Sequence, residues 1–407
     1  MTQTRTAARA ARTLAAELAR HNGPKTGLVV GAHGRSAVLT AAIEGMLPGD
    51  TLRVVPAEAS AAGALRDHIA TQSRWVTERV RVADSLAEAD PADVVIVAEP
   101  LEGSAEEARA TVESLTKYLV EGGVLAVATG LTGGAAAELG RQAALFGVGS
   151  DLVVRNNPPL RVHRLRFTTA ETALASHIAP AYRPSSVPLT RTMHIDSNGV
   201  AAAGIALGLA ALTRIARPKS RLWLVPALAA APVAAFFRDP QRDVPEDPSA
   251  VVAASDGKVL SVERLRDDRF GPDELLRVAV FLSVFDVHVN RAPVAGRVVD
   301  HFVTDGGFAA AMRPEAEHNV AAYTVLDTAR GTVVVAQRTG LVARRIVQRA
   351  PVGALLAKGE RFGLIRFGSR TDVYLPAAAA EPLVAPGDRV LGGASVIARW
   401  LASPSQR

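Results

Sequence analysis

The sequence predicts two domains of different class, an α/β domain with a parallel sheet and then a β-rich α+β domain, with a hydrophobic helical hairpin between them. Three observations predict this. Short apolar runs alternate with Ala-rich helical segments from residue 27 to about residue 168. Two charge-free runs follow, residues 199–212 and 222–237. From about residue 250 the pattern becomes short β-rich runs broken by Gly, Pro and Asp. The expected boundaries are 1–178, 179–240 and 241–407.

The elements follow in order. Residues 1–20 carry four arginines without an uninterrupted apolar stretch, which does not suit a secretory signal. Ala8, Ala11, Leu14, Ala15 and Leu18 recur there at helical spacing. Residues 27–31 (GLVVG), 51–56 (TLRVVP), 92–99 (ADVVIVAE) and 122–129 (GGVLAVAT) read as buried strands. Residues 105–119 read as a helix, and 152–168 as closing strands. The Pro-punctuated stretch 179–188 reads as a linker.

Between the two charge-free runs lie Arg214, Arg217, Lys219 and Arg221. Each run is shorter than the roughly 20 residues that a spanning helix needs. Three readings stand: a hairpin dipping into one leaflet, a pair of short spans, or two buried core helices. A core helix rarely lacks a polar face, and flanking cations suit anionic headgroups, so the membrane-associated readings are favoured. Beyond them, residues 251–260, 276–290, 320–326, 332–337, 341–346 and 362–367 fit strands.

Composition narrows the chemistry. The 407 residues hold no cysteine, which excludes disulfides, Cys-ligated metal and a thiol nucleophile. The net charge is +6, but aromatics are only 4%, too few for base-stacking platforms, so anionic lipid or an acidic substrate fits better than nucleic acid. No metal-ligand pattern stands out.

Three places could carry catalysis. In 281–293 (FLSVFDVHVNRAP), period-two alternation puts Asp286, His288 and Asn290 on one strand face, so His288 has polar neighbours suited to proton transfer. A solvated strand face gives the same alternation. Ser255-Asp256-Gly257-Lys258 is a turn signal whose Asp256 could fix a histidine tautomer, as in a triad. Gly368-Ser369 follows one β run and precedes another at 372–376. The Ser369 hydroxyl could attack the open Gly368 carbonyl once a base takes its proton, or the pair could be a plain hairpin turn.

Residues from about 186 to 407 resemble the phosphatidylserine decarboxylase family, in its shorter proenzyme class. The matching pieces are 236–240 (FFRDP), 255–259 (SDGKV), 281–293 with Gly296, Glu317-His318-Asn319, 340–347 (GLVARRIV) and 359–376 (GERFGLIRFGSRTDVYLP), all in family order. The resemblance implies self-cleavage at Gly368-Ser369 into fragments 1–368 and 369–407, which stay together as a heterodimer or a higher oligomer. Ser369 becomes a pyruvoyl group, which decarboxylates phosphatidylserine to phosphatidylethanolamine without sulfur chemistry.

By the same resemblance Asp256 falls at the triad aspartate and His288 at a catalytic histidine. Longer members carry a second histidine where this chain has Arg291, so His288 serves both steps or His318 shares the work; His288 alone is favoured. Arg344 and Arg345 are candidates for the substrate phosphate or carboxylate, against the plainer reading of solvated strand arginines. The expected place is the cytoplasmic face of the cell membrane, peripheral or hairpin-anchored, against anionic lipid. Two alternatives predict otherwise: a pyruvoyl decarboxylase of a soluble amino acid, and a non-enzymatic β-rich carrier module, suggested by the turn at 384–396 (VAPGDRVLGGASV) and requiring an intact chain.

Residues 1 to about 170 resemble a class I methyltransferase-type Rossmann domain by pattern. The nucleotide loop is 31–36 (GAHGRS), with Gly31 and Gly34 but no third close glycine, and Glu58 lies just beyond the second strand. S-adenosylmethionine is the candidate cofactor, against a degenerate scaffold that kept the sheet alone. Methylation of the other domain's product is the activity that the fusion suggests.

Overall fold

The computed structural model describes residues 6–181, 186–341, 345–365 and 369–402. The chain divides into two compact units, one of residues 1–185 with 353–355, the other of 186–352 with 356–407.

In the N-terminal unit, α1 (Ala8–Leu14) is followed by β1 (Thr26–Ala32), α2 (Ala37–Gly45), β2 (Thr51–Pro56), α3 (Ala62–Ala70), α4 (Arg74–Arg79), β3 (Val80–Val82), β4 (Ala92–Val97), α5 (Ala105–Thr116), β5 (Leu119–Thr129), α6 (Gly134–Phe146), β6 (Gly147–Val153) and β7 (Leu160–Leu165). The sheet order is β3-β2-β1-β4-β5-β7-β6. The first five strands are parallel, and β7 runs antiparallel between β5 and β6. This is the expected Rossmann-like sheet, with its switch point between β1 and β4. Buried aliphatics on both sheet faces make two cores. A capping box starts α5, with the Ser104 side chain on Glu107 N and Glu107 returning to Ser104 N.

The second unit opens with β8 (Val187–Pro188) and β9 (Met193–Ile195), so the expected linker ends inside a small sheet completed by β10 (Arg238–Pro240). Between β9 and β10 lie α7 (Ser197–Ala216) and α8 (Leu224–Phe236), packed on each other. The buried-core reading of these helices is overturned. Ile205, Leu209, Leu212, Ile215, Val225 and Leu228 are all more than half exposed, because no other layer among the described residues covers their apolar faces. The helix α7 reaches 20 residues because polar Ser197 and Asn198 and basic Arg214 extend it beyond the charge-free run. It is the one helix among the described residues long and apolar enough to cross a membrane. Pro232 sits inside α8.

The β-rich remainder comprises β11 (Ala250–Val252), β12 (Gly257–Leu265), β13 (Leu275–Leu282), β14 (Val289–Arg291), β15 (Gly296–Thr304), β16 (Ala321–Thr328), β17 (Gly331–Arg338), β18 (Ile346–Gln348), β19 (Leu355–Leu356), β20 (Arg361–Ile365), β21 (Ser369–Pro376), β22 (Ala380–Pro382), β23 (Arg389–Val390) and β24 (Val396–Trp400). The largest sheet runs β19-β15-β16-β17-β21-β13-β12-β23, antiparallel from β15 to β23, and another runs β14-β20-β18.

Several expected strands are broken. The run 251–260 splits into β11 and β12 around Ser255-Asp256, and 276–290 splits into β13 and β14 around a turn. Leu341 is 67% exposed and lies in no strand; of the strand expected at 341–346, residues 342–344 lie outside the described residues, and Ile346 opens β18. Strand β15 was not anticipated at all.

Candidate active site

Ser369 is the first residue of β21, paired with Leu282 at the end of β13, and it is fully buried. Ser369 itself is thus a strand start. Its Oγ has no hydrogen-bond partner among the described residues, an unusual state for a buried hydroxyl. Gly368 lies outside the described residues, as does Arg344. Two residues along the same face of β21, Thr371 Oγ1 shares a 2.6 Å hydrogen bond with Ser255 Oγ. Strand β21 is thereby tied to the residue before Asp256.

Asp256 is 7% exposed. Arg242 donates from Nη2 to its Oδ2 (2.6 Å), and the Gly392 amide donates to its Oδ1 (2.8 Å). A Cβ at Gly392 would lie 3.0 Å from Ser255 Cα, so only glycine lets this amide come close. Burial pushes the Asp256 carboxyl above its usual range, and the nearby Asp286 charge adds to the rise; Arg242 and the Gly392 amide pull against it.

The histidine sits differently from its sequence expectation. The chain turns at 283–286, so Asp286, His288 and Asn290 do not form one solvated strand face. Ser283 donates to Asp286 Oδ2 from its amide (2.8 Å) and its hydroxyl (2.7 Å), which closes the turn. His288 is 2% exposed, and its ring lies 4.3 Å from the Phe236 ring, centroid to centroid. Its Nδ1 lies 2.9 Å from the Asp286 carbonyl, so Nδ1–H donates there and Nε2 keeps its lone pair. Burial lowers its pKa to about 4, so the ring is neutral at neutral pH. Nε2 is buried and has no partner among the described residues. The hydrogen bond expected from Asp256 to this histidine is absent among the described residues, because Arg242 and Gly392 hold that carboxylate. The Asp286 carbonyl orients the ring instead.

The substitution of Arg291 for a second histidine has a structural partner. Arg291 is 4% exposed and donates from Nη2 to Asp239 Oδ1 (3.0 Å) and Pro240 O (2.7 Å). Arg361 Nε pairs with the other Asp239 oxygen at 2.5 Å. Burial lowers the Arg291 pKa only to about 10, so it stays a cation and cannot be a base at neutral pH.

His318 is not brought to this site. It is exposed and lines a cleft of about 730 Å³ with Arg277, Glu317, Arg370 and Tyr374. Arg370 and Tyr374 alternate with Ser369 and Thr371 along β21, so that cleft opens on the opposite sheet face. Arg345 is exposed and lies in no strand.

At the switch point of the N-terminal sheet, Gly31 has φ +80° at the end of β1, and Ser36 caps α2. Glu58 is exposed just past β2 and accepts from Ser60 Oγ (3.4 Å). Gly34 faces His68, whose Cβ would lie 3.6 Å from an added methyl. His33 Nε2 and Glu99 Oε1 lie 3.6 Å apart across the ends of β1 and β4.

The model of the family described as phosphatidylserine decarboxylase matches residues 230–398. The proenzyme from Symbiobacterium thermophilum is 50% identical over 166 residues, covering 40% of this chain and 77% of its own length. The chain belongs to the phosphatidylserine decarboxylase family. The proenzymes from Geotalea uraniireducens and Carboxydothermus hydrogenoformans are 45% and 42% identical, each over 40% of this chain and 76% and 78% of their own lengths. Phosphatidylserine decarboxylation is therefore the activity of this carboxy-lyase, and the second unit carries it as a proenzyme acting in phospholipid biosynthesis. For the N-terminal unit, an O-methyltransferase from Bacillus cereus solved with SAH is 13% identical over 39% of this chain and 80% of its own, with TM-score 0.30. The O-methyltransferase TomG from Streptomyces achromogenes is 13% identical over 39% and 79%, with TM-score 0.29. The unit's own strand order defines it as Rossmann-like.

Around the candidates Ser369, His288 and Asp256 the structure places Arg242, Gly392, Asp286 and Phe236, which the sequence did not single out as their supports. Arg242 lies two residues past FFRDP, which was a usable signal. Gly392 lies in 384–396, the stretch read as a carrier-module turn, and here it supplies a donor to Asp256.

Proposed function

We propose that Ser369 Oγ cuts the chain at Gly368-Ser369, with His288 Nε2 taking its proton. The observation that carries this reading is that Ser369 Oγ and His288 Nε2 are both buried and both without a hydrogen-bond partner among the described residues. Addition of Oγ to the Gly368 carbonyl carbon and loss of the amide nitrogen convert the peptide to an ester. Removal of the Cα proton of residue 369 then expels fragment 1–368 as a carboxylate and leaves a dehydroalanine, whose imine tautomer takes up water and loses ammonia to give fragment 369–407 a pyruvoyl end. Fragment 369–407 stays in place because β21 is hydrogen-bonded between β13 and β17.

The pyruvoyl group, once formed at position 369, supplies a ketone that takes up the electron pair released with carbon dioxide. His288 Nε2 returns a proton to the product carbon, Phe236 keeps water from the imidazole, and Asp256 holds the local charge with Arg242 and Asp286. The exposed hairpin of α7 and α8 enters one leaflet from the cytoplasmic face, with Arg214, Arg217, Lys219 and Arg221 on anionic headgroups. Purified protein with phosphatidylserine vesicles should release carbon dioxide, and free serine should not; the opposite preference would overturn the lipid assignment.

In the N-terminal unit, Gly31, Gly34 and Glu58 are the proposed contacts for S-adenosylmethionine, supported by their place at the sheet's switch point. Labelled S-adenosylmethionine that neither binds nor methylates phosphatidylethanolamine would dismiss it.

A further inference from the structure

We infer that the turn at 283–286 is a second membrane-docking tip, which presses Val284 and Phe285 into an anionic lipid surface at the mouth of the decarboxylase site. This deepens the lipid-substrate reading and rests on it.

Phe285 is 84% exposed and Val284 48% exposed, at adjacent positions. Burial drives most phenylalanines inside, so a tip that offers both side chains to solvent calls for an apolar partner. The tip is held rigidly. Asp286 caps it through Ser283, Arg389 Nη1 donates to Asp286 Oδ1 (3.0 Å), and Arg238 Nη2 donates to the Phe285 carbonyl. Rigid display lowers the entropic cost of insertion.

Two features choose a bilayer as the occupant. The first is charge. Arg389 has a 73% exposed side chain beside the tip and lies opposite exposed Lys258, itself paired with Phe281, while Arg238 sits under the tip. An apolar point rimmed by cations matches an anionic headgroup layer over hydrocarbon. The second is continuity. Arg238 directly follows the apolar hairpin, and the Phe236 ring at the end of α8 packs beside His288. The exposed helices and the exposed tip thus flank the same histidine. A lipid would present its headgroup there while its acyl chains stay in the bilayer.

The absence of cysteine makes the test direct. Phe285→Cys accepts one environment-sensitive fluorophore, and Thr332→Cys, at an exposed hairpin position, serves as control. With vesicles of phosphatidylserine and phosphatidylcholine, the label at 285 should shift to the blue and be quenched by spin-labelled lipid, and the label at 332 should not. Phe285→Ser should lower kcat/KM on such vesicles about tenfold, the order expected for one large apolar side chain, and leave turnover of monomeric short-chain phosphatidylserine unchanged. An unchanged label at 285 on protein that sediments with vesicles would overturn the proposal. So would an equal loss on both substrates, which would mark a support for His288, or a blue shift that needs only more protein, which would mark a second copy. If the unsubstituted protein turns over neither substrate, the lipid-decarboxylase reading fails, while the label at 285 still reports insertion independently.

Discussion

The Phe236 and His288 ring centroids lie 4.3 Å apart with the planes tilted by 38°, which joins the end of the exposed apolar hairpin to the buried imidazole. This contact shields the imidazole and explains why burial dominates its depressed pKa of about 4. Phe236→Ala should open the ring to water and move the pKa back toward 6.5. The acid limb of the cleavage rate–pH profile should then rise to higher pH, with a loss of stability of about 3 kcal/mol. An unshifted limb would mean that Phe236 does not control the histidine.

His288 also sets a pH dependence of folding. Its pKa is lowered from 6.5 to about 4, so the unfolded chain binds the proton more readily than the folded one. The stabilising contribution is present above about pH 6.5 and is lost as pH falls from there through about 4, on the order of 3 kcal/mol. Denaturation curves should be compared for Ser369→Ala with and without His288→Asn, a pair expected to remain uncut. The difference isolates His288, because buried His163 is lowered to about 4 as well. Parallel curves from pH 7 to 4 would refute the assignment.

Arg242→Gln should leave Asp256 buried with only the Gly392 amide. Removing one partner of a mostly buried ion pair costs about 3 kcal/mol. Adding Asp256→Asn should restore most of that stability but not chain cleavage. Additive losses in urea denaturation would show that the two residues are not coupled.

Arg291→His would recreate the second histidine of longer relatives. Because Arg291 ties Asp239 and Pro240, the change should lower Tm by several degrees and leave cleavage no faster. A faster cleavage rate, read by electrophoresis against time, would show that the position is catalytic after all.

Much of this was readable from residues. The strand at Thr51–Pro56 appears as expected, and the alternation of strands and helices located the parallel sheet. Period-two alternation failed at 281–290 because a turn carries Val284 and Phe285 outward, and apolar character there does not report burial. The same ambiguity placed a strand at Leu341. Gly392 could not be found by spacing, since it meets Asp256 across 136 residues of sequence. The orientation of His288 by a carbonyl was equally hidden, because every residue offers one.

The central claim is that Ser369 is both nucleophile and precursor of the electron sink. Denaturing electrophoresis with intact mass measurement of the purified protein tests it most directly. The expected result is two fragments, 1–368 and 369–407, the shorter one blocked at its N-terminus and reactive toward carbonyl reagents, with Ser369→Ala remaining one inactive chain. An intact active chain, or a short fragment that begins with a free serine amine, would contradict it.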